Sequence, residues 1–235
     1  MDELYRLISI LKNGIRKVNL LLQGLMNMEF SQWEVQNMKN STSKIDKNRK
    51  TAITVGLLIL IAYCVLASTI IESKILVMFF ELISGIAVIG ISALMFPLFK
   101  HYNNKVSISY FVLKILEGAL MIIAGILFLS SGDVLVGVRD SIYVGHTYIF
   151  VTSAFMFYYL LHKSKLIPKW IAVWGGIAVM LLLIINLLEM TNITIPMLLL
   201  GLGYSQIMLN EVFLAIWLMV KGFNSAAIGA DKTDS

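Results

Sequence analysis

Six long apolar runs, separated by short polar connectors, dominate this chain from residue 52 onward. They span residues 52–71, 75–99, 107–131, 142–161, 169–188 and 195–220. Each is about 20 to 26 residues long, enough at 1.5 Å per residue to cross a hydrocarbon core of about 30 Å. The pattern predicts an all-α fold, a six-helix transmembrane bundle. Short connectors make successive helices antiparallel neighbours. Pro168 and Pro196 stand at the starts of the fifth and sixth runs, where a missing N–H costs nothing. Pro97 falls in the last turn of the second run, a position that allows a modest kink.

The first fifty residues follow a different rhythm. Leu4, Ile8, Leu11, Ile15, Val18, Leu22 and Leu25 recur four and three apart, which places them on one helical stripe. Arg6, Lys12, Arg16 and Lys17 lie off that stripe. The leading reading is an amphipathic helix lying in the headgroup layer, with those four cations toward the membrane surface. A short parallel coiled coil, and with it a homo-oligomer, is the alternative, weakened by Gly14 and by the absence of charged flanking pairs. Residues 37–50 are polar and basic without an apolar period and read as a tether. The expected organisation is a cytoplasmic helix and tether over 1–50, a membrane domain over 51–224 and a short tail over 225–235. Residues 1–30 lack the uninterrupted apolar core of a signal peptide, so insertion is expected to use the first span, uncleaved.

Composition sharpens this picture. Charged residues make up 14% of the chain and hydrophobic ones 58%, against about 25% charged in a soluble domain. The lipid bilayer is therefore the first partner. The net charge of +5 does not point to nucleic acid, because the basic residues sit at membrane edges and in the N-terminal region. Lys44, Lys47, Arg49 and Lys50 precede the first run. Lys100 and Lys105 follow the second, Lys163, Lys165 and Lys169 flank the fifth, and Lys221 and Lys232 follow the sixth. The other three connectors hold Lys74, Arg139 and no basic residue. That asymmetry predicts both termini in the cytoplasm. Cys64, the single cysteine, permits no internal disulfide and reads as a packing residue.

Charges inside the apolar runs are the candidate chemistry. Lys114 and Glu117 lie three apart, on one helical face. Glu117 and Glu211 each fall about ten residues, or ~15 Å, from the basic side. Such charges must face protein, water or a counter-charge. Two carboxylates sharing one ammonium also leave a site able to take up a proton. The expectation is a buried network of Lys114, Glu117 and Glu211 that knits the third and sixth spans. A second polar layer with Glu81, His146 and Asn186, linked to the first by Gln206 and Asn210, is expected to extend it into a polar path. The bland reading is that buried pairs only fix helix register, and that Glu81 snorkels to water.

Recognisable catalysis is missing. His101, His146 and His162 are too far apart in the predicted topology to share a metal, and no Gly-x-Ser-x-Gly elbow or phosphate-binding glycine loop occurs. No catalytic residue, metal or cofactor is nominated. Gly85, Gly118, Gly125, Gly175, Gly176, Gly201 and Gly203 read as packing notches.

Three stretches carry a resemblance. They are Met95-Phe96-Pro97-Leu98 followed by Ser109 to Glu117; Tyr158 to Gly175 with its Ser164-x-Leu166-Ile167-Pro168-x-Trp170 connector; and Asn210 to Asn224 with its Lys221-Gly222-Phe223 ending. In that order they resemble the bacterial membrane proteins grouped as domain of unknown function 4386, over about residues 48–224. Lys114 departs from the arginine usual in that pattern, which keeps the charge and loses bidentate pairing. The resemblance implies a six-helix integral membrane protein and assigns no activity. Function is therefore read from the charges: first a non-enzymatic protein whose buried charges hold helices together, second a small permease or proton-coupled transporter using Glu117 and Glu211, third a membrane-embedded lipid-modifying enzyme. The substrate is not readable from the sequence.

Overall fold

A computed structural model of the chain describes residues 47–71, 73–129, 133–191 and 195–224. The chain divides into two units, Met1–Lys47 and Asn48–Ser235. The amphipathic stripe and its cations Arg6, Lys12, Arg16 and Lys17 lie outside the described residues, as does the short tail.

Every described element is helical. Helix α1 covers residues 47–62 and tightens into a 3-10 stretch, Tyr63–Thr69. Then come α2 (Lys74–Phe99), α3 (Asn104–Leu129), α4 (Asp133–Ser164), α5 (Lys169–Met190) and α6 (Met197–Val220). Six helices among the described residues are long and apolar enough to cross a membrane. Pro168 and Pro196 occupy the N-cap positions of α5 and α6, and Pro97 is absorbed in the last turn of α2. The largest departure from the predicted spans is α4, which starts nine residues before residue 142 and so takes Arg139 out of the connector and into the helix.

Consecutive helices pack side by side, and the 3-10 end of α1 lies against α2. The ring closes where α6 returns to α1. A Cβ at Gly56 would sit 2.6 Å from the Ala215 carbonyl oxygen, so only glycine lets these two backbones approach. At the end of the same seam the Arg49 guanidinium donates to the carbonyls of Met219 (3.0 Å) and Val220 (2.9 Å), capping α6 with a cation where the helix dipole is negative.

Lipid-facing interfaces gain nothing from burying apolar surface against apolar surface, so close packing must hold them. Gly85 of α2 and Gly118 of α3 show how. A Cβ on Gly85 would lie 2.6 Å from the Gly118 carbonyl oxygen, and one on Gly118 2.5 Å from that of Gly85. Gly175 is likewise filled by the Tyr158 ring, and Gly203 by Ile185. Gly176 and Gly201, grouped with them on sequence, face open space instead. We expect Gly118→Ala to destabilise the bundle by about 1–3 kcal/mol through overpacking. Gly176→Ala should be close to neutral. Unfolding titrations of both variants in detergent check the contrast.

The basic end of the ring is sealed by rings and by the connector motifs. Phe99, Tyr110 and Phe157 form an edge-and-stack cluster with centroids 5.6–5.9 Å apart. Beside it the Asn224 amide donates to the Leu166 carbonyl at 2.8 Å, and Phe223, Leu166 and Ile167 are all buried. Lys165 and Gly222 both adopt positive φ (54° and 78°), which turns the two connectors toward each other. The second and third sequence stretches singled out above thus meet in space.

Candidate functional site

Inside the ring lies a cavity of about 560 Å³. Pockets that hold small molecules run from about 300 to 1,000 Å³, so this space is well beyond a packing void. Its wall is mostly apolar, with Val88, Ile91, Met121 and Leu182 among the side chains. Three charged residues interrupt it, namely Lys114, Glu117 and Glu211.

Helix periodicity explains the first two. Three residues apart on α3, Lys114 and Glu117 both turn inward, and the ammonium donates to Glu117 Oε1 at 3.0 Å. The other carboxylate oxygen, Oε2, accepts from the Ser153 hydroxyl of α4 at 2.7 Å. Lys114 Nζ also lies 5.3 Å from the centre of the Phe150 ring, within cation–π range. Glu117 is therefore bonded on both oxygens. Its charge is matched.

Glu211 is held differently. Its Oε2 accepts from the Tyr63 hydroxyl at 2.7 Å, a neutral donor supplied by the 3-10 stretch of α1. No cation among the described residues forms an ion pair with it, although Lys114 and Glu117 both lie within electrostatic reach. The expected knitting of the third span to the sixth takes another form. One bond joins residues within α3, one joins α3 to α4, and one joins the first span to α6. Glu117 and Glu211 share a cavity rather than a bond, because space separates α3 from α6 across the ring.

Above this site a second ion pair crosses the bundle. Arg139 of α4 donates to Glu81 of α2 at 2.6 Å, and Glu81 is fully buried. Glu81 does not snorkel: its counter-ion comes to it. The guanidinium lies over the Phe128 ring at 4.5 Å and the Tyr143 ring at 4.9 Å. Sequence reasoning placed Arg139 in a connector and so missed this pair. Ser153 and Tyr63 were missed as well, since a hydroxyl in an apolar run leaves no periodic signal.

Of the five residues expected to form a polar path, only His146 lines the cavity. Gln206 accepts from the Trp174 indole at 3.2 Å, turned toward α5. The Asn210 amide donates to the Ile171 carbonyl at 3.1 Å, and that of Asn186 to the Leu182 carbonyl one turn back at 2.7 Å. Gln206 thus spends its acceptor on a neighbouring indole, and the two asparagines spend their donors on helix backbone. They hold α5, α6 and the local turns rather than forming a conduit.

Further polar atoms on the cavity wall matter because no partner among the described residues satisfies them. The Tyr110 hydroxyl and His146 Nε2 are buried and meet no donor or acceptor among the described residues. A buried polar group left unpaired costs roughly 1–3 kcal/mol, so such atoms usually await a water or a ligand. Among the described residues no cluster of three or more His, Cys, Asp or Glu side chains has the arrangement to hold a metal ion.

A family model described as Domain of unknown function (DUF4386) matches residues 72–222. The chain belongs to that family. The matched range begins after α1, so it contains Glu81, Lys114, Glu117, Arg139 and Glu211, while Tyr63 lies outside it. No curated protein and no solved structure matches the chain.

Proposed function

We propose that this multi-pass membrane protein is a small-molecule binding protein of permease type, holding a mainly apolar molecule in the central cavity. One observation carries the reading. A ligand-sized space in the middle of the membrane domain is walled by apolar side chains, yet it presents a carboxylate without a paired cation, and polar atoms without partners, among the described residues. A bundle needing those charges only for assembly would gain by closing around them, because voids forfeit dispersion contacts. Glu211 then serves as the ligand's or a proton's polar contact, and the Lys114–Glu117 pair sets the field around it. The excess of basic residues at one end supports reading both termini as cytoplasmic and the bundle as lying in the cytoplasmic membrane.

Ala154 tests this. It is buried on the cavity wall, and Ala154→Phe would push a ring into the space. Native mass spectrometry of the protein extracted from its own membrane should show a co-purifying small molecule, lost in Ala154→Phe while the fold persists. An empty wild-type cavity, or equal occupancy in both proteins, rejects the reading.

The structural role stands second, and specific bonds favour it. Glu117 joins α3 to α4, Glu81 joins α2 to α4, and Glu211 joins α1 to α6.

A further inference from the structure

Within the binding reading just given, the charges around the cavity narrow the chemistry of what it holds. Lys114 is bonded to Glu117, and Arg139 is bonded to Glu81. Both cations near the site are thus already matched. Lys114, Glu117 and Glu211 together leave one carboxylate in surplus, and its one bond is to the neutral Tyr63 hydroxyl. An anionic head would meet that carboxylate with no unmatched cation among the described residues that line the cavity.

Aromatic rings supply the second constraint. Tyr63, Tyr110, Tyr143, Phe150, Phe157 and Tyr204 all line the space. Ring faces carry negative quadrupole potential and attract cations, most strongly where water is excluded. Phe150 already receives one ammonium, that of Lys114. A carboxylate set among rings is a receptor for a second.

The mouth supplies the third. Leu66, on the 3-10 end of α1, and Tyr204 and Met208, on the N-terminal half of α6, line the cavity while remaining 48%, 43% and 37% exposed. They therefore face both the cavity and the surroundings of the bundle, which along these spans are lipid. Tyr63–Glu211 is the hydrogen bond that joins the same two elements at this opening.

From these placements we infer that the ligand is a cationic amphiphile, one amine head on an apolar body, which enters sideways from the membrane between the 3-10 end of α1 and α6 and seats its head on Glu211. The apolar wall takes the body, and the ring faces take the flanks of the ammonium.

The test uses full-length protein in nanodiscs and three probes of equal tail length: decylamine, decanol and decanoate. Binding is read by calorimetry, with each probe's partition into empty nanodiscs subtracted. Decylamine should bind at least ten-fold more tightly than decanol, and decanoate more weakly than both. Glu211→Gln keeps an acceptor for Tyr63, and in it the preference for decylamine should vanish while decanol binding stays. Decanol or decanoate binding as tightly as decylamine overturns the cationic assignment and leaves the cavity reading standing. Binding of none of the three overturns both. An unchanged amine preference in Glu211→Gln overturns the role of that carboxylate. Should that variant not fold, the ranking on the wild-type protein still decides the ligand class.

Discussion

Arg139→Ala should destabilise the bundle by about 3–5 kcal/mol, the usual cost of leaving one member of a buried ion pair alone. Glu81 is fully buried, with one oxygen 2.6 Å from the guanidinium. Without Arg139 an anion is stranded beside Gly125, whose missing side chain makes room for Glu81. The stacking of the guanidinium on Phe128 and Tyr143 is lost as well, a smaller contribution of about 0.5–2 kcal/mol. Glu81→Gln should cost less than Arg139→Ala, since an amide needs no counter-charge. Combining Glu81→Gln with Arg139→Ala should recover much of the loss, because removing both charges relieves the desolvation that either alone incurs. Unfolding titrations of the four proteins form a double-mutant cycle. A strictly additive cycle would show that the pair holds nothing together.

That pair also marks where reading the chain stops short. Six spans could be placed from apolar length alone, and the prolines and flanking lysines fixed their ends to within a few residues, except at α4. The stretch Gly137-Val138-Arg139-Asp140-Ser141 is too polar to look membrane-embedded by itself. It is nonetheless part of α4, and its arginine is neutralised by a carboxylate 58 residues earlier. Local hydropathy carries no information about a partner on another helix. The same limit hid Ser153, 36 residues from Glu117, and Tyr63, 148 residues from Glu211.

Spacing did identify Lys114 with Glu117, since an i, i+3 relation survives folding into any helix. Equal depth in two spans also put Glu117 and Glu211 in one layer, and both do reach the same cavity. What depth could not give was azimuth. Gln206, Asn186 and Asn210 were taken into the layer on their level in the membrane, but each points away to a backbone carbonyl or an indole. Whether a ring of six helices closes around space or collapses is likewise a property of all six faces at once. No single run reveals it.

The largest effect expected around the cavity itself comes from Lys114→Met, which should cost about 3–5 kcal/mol by stranding buried anions. Lys114 is the one cation among the described residues of the cavity wall, bonded to Glu117 and within electrostatic reach of Glu211. Glu117→Gln should cost less: Ser153 can still donate to the amide oxygen, and Lys114 keeps Glu211 as a counter-charge. Adding Glu117→Gln to Lys114→Met should therefore restore stability. Glu211→Gln should be the mildest of the set, as Tyr63 retains an acceptor and no cation loses a hydrogen-bonded partner. This ordering separates the pair that builds the bundle from the carboxylate left over for a ligand. If Glu211→Gln instead proves as costly as Lys114→Met, and the two together cost no more than one, then Glu211 is the structural partner of that lysine. The cavity would then lack a free charge to offer, and assembly rather than binding would explain why the acids are there.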